Sequence, residues 1–219
     1  MTDLLIVRHG QASHNLAARW EGWGASPLTP LGRHQAEAVA QRLASWSPAV
    51  ARLYVSPILR ARQTAEPIAR CLDLAPVFHE GLREIDFGQV AGLTQEAFSQ
   101  AMPQVYARWL KRRDLSFQFP GGEQRLAFYQ RVGRALDEIV ARSAGQTVVV
   151  VAHGGSIRAG LAHLFPETMQ DWWAYALDNG SLTHVRAEGE DKVLVALNDC
   201  QHMEGGQVHE RTPNAEGTA

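Results

Sequence analysis

Leu5-Ile6-Val7-Arg8-His9-Gly10 and Val149-Val150-Val151-Ala152-His153-Gly154-Gly155 decide how this chain is read. Each is an apolar run that reads as a buried parallel strand, and each delivers a histidine at its C-terminal end, followed at once by glycine. In an open α/β sheet, ligands bind beyond the carboxyl ends of the strands, where loops lead into helix N-termini. Two histidines placed that way face one cleft. Arg8, beside the first, points to an anionic ligand, and phosphate is the expected one.

Between these strings the pattern alternates strand and helix. Thr29-Pro30 reads as an N-cap and first helical position, after which Ala36, Val39, Ala40, Leu43 and Trp46 share a helical face. Leu53-Tyr54-Val55 reads as a short buried strand, and Ser56-Pro57 repeats the capping signal for the next helix. Pro67 interrupts that helix, which predicts a kink or a restart there. Pro76-Val77-Phe78 is expected as a third strand. From about Ile85 to Gly122 the alternation breaks, and these residues read as a lid-like insertion over the cleft. A long helix is expected from Glu123 to about Arg142, with Leu126, Val132, Leu136, Ile139 and Val140 inward. The second histidine strand, a helix from Ser156, and a hairpin with arms Ser181–Ala187 and Lys192–Asn198 follow, its turn being Glu188-Gly189-Glu190-Asp191. The fold class is therefore α/β: a three-layer α/β/α sandwich around a mostly parallel sheet, with the hairpin as an antiparallel edge. One domain over 1–203 is expected, and the polar stretch of 204–219, with little to bury, reads as a disordered tail.

Composition fits this reading. A chain of 219 residues with 45% hydrophobic residues can bury a substantial core. A formal net charge of −2 argues against a nucleic-acid-coating surface. No apolar run approaches the ~20 residues that span a bilayer, and Met1-Thr2-Asp3 is no signal peptide, so neither a membrane partner nor export is expected. Cys71 and Cys200 lack metal-ligand spacing and are too few for a disulfide framework. A cytoplasmic protein is the expectation. Oligomeric state is not legible, with a homodimer left open.

Residue types then supply a chemistry. A neutral His9 is a competent nucleophile toward phosphorus, splitting one hard hydrolysis into two easier steps. A phosphoryl group in flight carries charge on its equatorial oxygens, so catalysis is mostly positioning and electrostatic stabilisation. Arg8 supplies part of that charge. Arg60 is expected in the first turn of the helix after Ser56-Pro57, where the helix dipole also favours an anion. His153, if protonated beside the phosphate, is a third donor. The leaving group needs a proton, and Glu84, flanked by apolar residues, is the expected general acid; deprotonated, it activates water for the second step.

With these residues in place, the chain resembles the histidine phosphatase superfamily, the phosphoglycerate-mutase-like enzymes. The resemblance rests on Arg8-His9-Gly10, on Gly22-Trp23 through Leu28-Thr29-Pro30-Leu31-Gly32, and on Ser56-Pro57-Ile58-Leu59-Arg60-Ala61-Arg62-Gln63-Thr64-Ala65. Leu82-Arg83-Glu84, Ala152-His153-Gly154-Gly155 and Leu197-Asn198-Asp199 extend it, in the family's order, to about His202. It implies His9 as the phosphohistidine nucleophile, Arg8, Arg60 and His153 as the phosphate pocket, and Glu84 as proton donor. It further implies Asn15 and the backbone of Gly22 as substrate contacts, and Gly10, Gln11, Glu21 and Gly154 complete the expected substrate-binding set. No metal and no cofactor are called for, and the expected partner is a small phosphorylated substrate.

Departures from the family pattern lie at the mouth. Glu followed by Thr or Ser is frequent after the Arg-His-Gly string, with Trp before the asparagine; here Gln11, Ala12 and His14 stand there. Phe119-Pro120-Gly121-Gly122-Glu123 looks more like the small phosphatases than the cofactor-dependent mutases.

Several residues have plainer readings. Arg62 is a decoy near Arg60, Glu80 and Asp86 compete with Glu84, and Lys111, Arg112 and Arg113 read better as a solvated face than as a clamp. Trp20 and Trp23 either line the mouth or simply pack. Histidines 14, 34, 79, 163, 184, 202 and 209 show no paired ligand spacing. A metal-independent phosphomonoesterase is the favoured function. A phosphomutase and an α-ribazole-phosphate phosphatase are the alternatives, and a non-catalytic phospholigand-binding protein is the reading from another class.

Overall fold

The computed structural model describes residues 1–166, 175–189 and 191–203. The tail of 204–219 expected to be disordered lies outside these residues, as does Glu190 of the hairpin turn. Strands β1 (Thr2–Arg8), β2 (Val50–Val55), β3 (Pro76–Phe78), β4 (Thr147–Ala152), β5 (Leu182–Glu188) and β6 (Asp191–Asp199) form one sheet in the order β3-β2-β4-β1-β5-β6. The pairs β3–β2, β2–β4 and β4–β1 are parallel, whereas β5 joins β1 and β6 joins β5 antiparallel. The expected sandwich with an antiparallel edge is what forms.

Alternation along the strands builds the layers, because successive side chains point to opposite faces. Leu5, Val7, Val149, Val151, Leu53 and Val55 pack on one face with Val39, Ala40 and Leu43 of α2 (Pro30–Ala44) and Ala61, Ala65 and Ile68 of α3 (Leu59–Leu72). Leu4, Ile6, Val148 and Val150 pack on the other with Leu136 and Ile139 of α6 (Arg125–Arg142) and Ile157 and Leu161 of α7 (Gly154–Leu164). Each fully buried Leu, Ile or Val contributes about 1.5–3 kcal/mol of transfer free energy. That makes β1 and β4, covered on both faces, the fixed frame of the molecule.

Local expectations hold where a backbone signal is strong and fail where packing decides. Thr29 caps α2, its side chain accepting the Gly32 N–H, with Pro30 in the first turn. Trp46 lies beyond the helix end yet packs on the same core. Pro67 sits inside a continuous α3, so the helix does not restart. On α6, Val132, Leu136 and Ile139 are buried and Val140 partly so, but Leu126 faces outward at 39% exposure. β3 begins with proline, which an edge strand tolerates because one side of its ladder is unpaired.

Residues 85–122 carry two short helices, α4 (Gln95–Ala101) and α5 (Pro103–Trp109), around an aromatic core of their own. Trp20, Phe98, Trp109, Phe117, Phe119 and Phe128 are all buried there, with Trp20 and Trp109 ring centroids 4.7 Å apart. Arg125, nearly fully buried, donates to the carbonyls of Trp109, Lys111, Arg112 and Asp114 and so satisfies a turn that would otherwise lack partners. The basic run there has a structural setting: Arg112 stacks on Trp109 at 4.4 Å. No helix among the described residues is long and apolar enough to cross a membrane.

Candidate active site

Strand register creates the site. In the parallel β1–β4 pair Arg8 stands beside Ala152, so the next residue of each strand is a histidine at the same level. The His9 N–H donates to the Ala152 carbonyl at 3.0 Å, and the two imidazole centroids lie 5.1 Å apart. Both rings are buried. β2, on the other side of β4, ends at the same level and hands the chain to Ser56 and then to α3.

The state of His9 follows from its two contacts. Its Nδ1 lies 2.8 Å from the Gly10 carbonyl, which only accepts, so the proton sits on Nδ1. Its Nε2 accepts a hydrogen bond from Arg60 Nε at 3.0 Å. The lone pair that a nucleophile needs is therefore on Nε2, aimed at the guanidinium that would receive an anion. Burial first, then the charge of Arg60, holds His9 well below the usual histidine value, so the ring is neutral at neutral pH.

Arg60 lies in the first turn of α3 and is 1% exposed. Its head donates to the Gly22 carbonyl at 2.8 Å and to Glu21 Oε2 at 3.2 Å. Burial lowers its pKa to about 10, offset by the charges of Glu84 and Glu21, which leaves it cationic at neutral pH. Gly22 makes this possible: at φ +59° a side chain is strained, and a Cβ would meet the Ile85 carbonyl at 2.8 Å. Arg8 packs its guanidinium over Gly154 and donates to the Leu177 carbonyl. Arg62, the decoy, stacks on Phe78 at the β3 edge.

His153 caps the start of α7. Its backbone N–H donates to the Ser156 hydroxyl at 3.0 Å, and its Nε2 lies 2.7 Å from Ser56 Oγ. Its Nδ1 is buried and takes no hydrogen bond from the described residues. Burial first, then Arg60, holds this ring well below the usual histidine value. The third donor expected as a cation is thus neutral before ligand arrives, since a buried imidazole beside two arginines does not hold a second proton.

Glu84 joins the same cleft. Its Oε2 accepts the Gly155 N–H at 2.9 Å and its Oε1 accepts its neighbour Ile85's N–H at 2.9 Å. A Cβ on residue 155 would lie 2.3 Å from Glu84 Oε1, so only glycine admits the carboxylate there. A carboxylate oxygen has two lone pairs, so accepting one backbone N–H does not exhaust its capacity. Arg131 of α6 fixes the backbone behind it, donating to the carbonyls of Gly81, Arg83 and Glu84 while paired to Glu123. The rival carboxylates point elsewhere: Glu80 pairs with Arg83 at the surface, and Asp86 accepts the Gly88 N–H.

The expected mouth residues divide. Glu21 Oε2 touches both Arg60 and His14, whose Nδ1 is 2.8 Å away, and Glu21 Oε1 accepts the Ser26 N–H at 2.8 Å. Burial would raise the Glu21 carboxyl, but His14 and Ser26 outweigh it and hold it at about 2. Asn15 Oδ1 accepts the Ala12 N–H at 3.0 Å and so folds the first turn of α1 (Ser13–Leu16). Gln11 is as buried as His9 and Arg60, and its side-chain carbonyl accepts the Thr29 hydroxyl at 2.7 Å. Trp20 packs in the aromatic core, whereas half-exposed Trp23 donates to the Glu84 carbonyl at 2.8 Å.

Three residues that sequence reading did not single out for the site belong to it. Ser56, read only as a cap, contacts His153 and is not the residue that caps α3, which starts after Ile58. Thr64, one turn beyond Arg60, accepts the Gly10 N–H at 3.0 Å. Asn179 donates to the His9 carbonyl at 3.0 Å across 170 residues, a separation at which no local pattern could announce it.

Comparison with known proteins agrees with this geometry. The model of the histidine phosphatase superfamily (branch 1) matches residues 4–200. The chain belongs to the histidine phosphatase superfamily. Phosphoserine phosphatase 1 of Hydrogenobacter thermophilus is 31% identical over 203 residues, covering 93% of this histidine phosphatase and 95% of that protein. A phosphoserine phosphatase mutant of Entamoeba histolytica, solved in complex with phosphoserine, superposes with a TM-score of 0.81 at 28% identity, covering 93% of this chain and 100% of that one. A mycobacterial glucosyl-3-phosphoglycerate phosphatase complexed with VO3 gives a TM-score of 0.78 at 31% identity, covering 90% and 98%. Family and relatives together make this histidine phosphatase an enzyme of the phosphatase type.

Proposed function

We propose that the protein hydrolyses small phosphomonoesters without a metal, through a phosphohistidine on His9, with Glu84 as general acid and then general base. The observation that carries this reading is the His9 tautomer, with the proton locked on Nδ1 by Gly10 and the Nε2 lone pair facing Arg60. An arriving phosphate replaces His9 as the acceptor for Arg60, which unmasks Nε2 as it binds the anion. Nε2 then forms the P–N bond as the P–O ester bond breaks, and Glu84 gives its proton to the departing alkoxide. In the second step Glu84 takes a proton from water as the water oxygen attacks phosphorus, the P–N bond breaks and phosphate leaves. Arg8, Arg60 and His153 hold the charge on the equatorial oxygens throughout.

Phosphoserine is the first substrate to test, since two of the relatives named above are phosphoserine phosphatases. Phosphate release from p-nitrophenyl phosphate and from phosphoserine is measured in excess EDTA for the wild type and Glu84→Gln. Release that survives chelation is expected. Glu84→Gln should lose about 10²–10⁴-fold on the alkyl ester and far less on the activated aryl ester, which leaves without a proton. Equal losses on both would remove Glu84 from the proton-donor role. Phosphoryl transfer to a second hydroxyl compound in place of free phosphate would make the protein a mutase instead.

A further inference from the structure

Between the phosphate pocket and the surface lies a polar pair that the mechanism above does not use. His14 Nδ1 stands 2.8 Å from Glu21 Oε2, and the same oxygen is 3.2 Å from Arg60 NH1. Two lone pairs at that distance would repel, so Nδ1 of His14 carries a proton, although its geometry is off line for a full hydrogen bond. Both side chains are mostly buried, at 11% and 15% exposure, and the His14 ring centroid is 6.0 Å from that of His9. A carboxylate so close to where a phosphate dianion must sit should oppose binding, both by repulsion and by drawing on the guanidinium that binds the anion. Around it stand Arg60 from α3, Arg8 and His9 from the end of β1, His153 at the β4–α7 junction, and Glu84 from the loop after β3.

We propose that His14 is a positioning residue that shares the Glu21 carboxylate with Arg60, leaving that guanidinium free to take a phosphate dianion. His14 then acts through Glu21 and sets affinity, with little part in the chemical steps. Glu21 in turn is an anchor for Arg60 and only indirectly a substrate contact. This inference rests on the phosphate-binding part of the reading above, and not on turnover.

The test is a double-mutant cycle read by calorimetric binding of inorganic phosphate at neutral pH, with KM and kcat for p-nitrophenyl phosphate alongside. His14→Phe should weaken phosphate binding about tenfold, the size of one lost N–H donor to a charged group, with the loss appearing in KM. His14→Gln, which keeps a donor able to reach Glu21, should bind nearly as the wild type does. In the Glu21→Gln background the His14→Phe effect should vanish, because the charge it served is gone. His14→Ala serves the same cycle should the phenylalanine variant fail to fold. An equal loss in both backgrounds would mean that His14 touches the ligand or merely packs, and would overturn the proposal, as would no loss at all. Phosphate binding that follows the cycle in a protein releasing no phosphate from any ester would sink the phosphatase reading and leave this one standing.

Discussion

At the end of β1, both nitrogens of His9 are engaged, Nδ1 giving its proton to Gly10 and Nε2 taking one from Arg60. At the end of β4, His153 shares Nε2 with Ser56, and its Nδ1 takes no hydrogen bond from the described residues. The two strand ends read almost alike, a buried apolar run, then histidine and glycine. Their neighbours make them unlike. A carbonyl next in sequence fixes the His9 tautomer, whereas a hydroxyl from a third strand end fixes the His153 ring. A neutral imidazole keeps one lone pair: at the end of β1 the Gly10 carbonyl assigns it to Nε2, beside Arg60, whereas at the end of β4 the Ser56 hydroxyl can donate or accept and so assigns it to neither nitrogen. The state of each ring is a property of its neighbours.

The comparison breaks most sharply if the two histidines are exchangeable. His9→Ala should lower kcat for p-nitrophenyl phosphate by about 10⁴-fold or more and abolish the acid-labile phosphoenzyme. His153→Ala should cost about 10²–10³-fold, as loss of one preorganised donor does, while the phosphoenzyme still forms on His9. A phosphoenzyme that persists in His9→Ala would mean that His153 is the nucleophile.

Acid sharpens what the two rings have in common. Both are held neutral, with pKa values well below 6.5, by burial first and by Arg60 next. The unfolded chain binds these two protons near pH 6.5 and the folded one does not. Their contribution to stability is thus fully present above pH 6.5 and is lost as pH falls toward the folded values. Each ring should cost about 1.4 kcal/mol per pH unit in that window. Urea midpoints from pH 7.5 to 5 should fall, and less steeply in His153→Ala than in the wild type.

The smallest expected effect separates the second site from the first. Ser56→Ala removes the hydroxyl from His153 and nothing from His9, so it should cost about 0.5–1.5 kcal/mol in transition-state stabilisation, a roughly 2- to 13-fold fall in kcat. A loss as large as that of His153→Ala would show that Ser56 itself touches the reacting phosphate.

Legibility followed distance along the chain. The layers, the parallel histidine strands, the Thr29 cap and the place of Arg60 in a first helical turn were all readable, because periodicity and caps act within a few residues. Of the kink or restart expected at Pro67, the restart does not occur: α3 runs through the proline unbroken, packed on the core it shares with α2 and β2. Leu126 lies outward because the first turn of α6 packs against the 85–122 segment through Arg125 and Phe128, which leaves Leu126 on the other side. The partners of Gln11 were not readable from its place in the string: they are Thr29, which caps α2, and Gln35, which lies on it, 18 and 24 residues further along. The 85–122 segment showed its irregularity but not its aromatic core, which draws Trp20 and Phe128 from outside it.

What the sequence determined by itself is the short-range grammar: two apolar strands that each present a histidine, helices that begin where anions are favoured, and a set of charged residues suited to phosphate. What only the tertiary structure decided is which of those groups share protons. The His9 tautomer, the Ser56–His153 contact, the hold of Arg131 behind Glu84 and the triangle of His14, Glu21 and Arg60 all depend on strand register and on layers meeting. The reason is physical. A hydrogen bond is set by a few tenths of an ångström and an angle, and only the packed sheet and its helices fix those between residues so far apart in the chain.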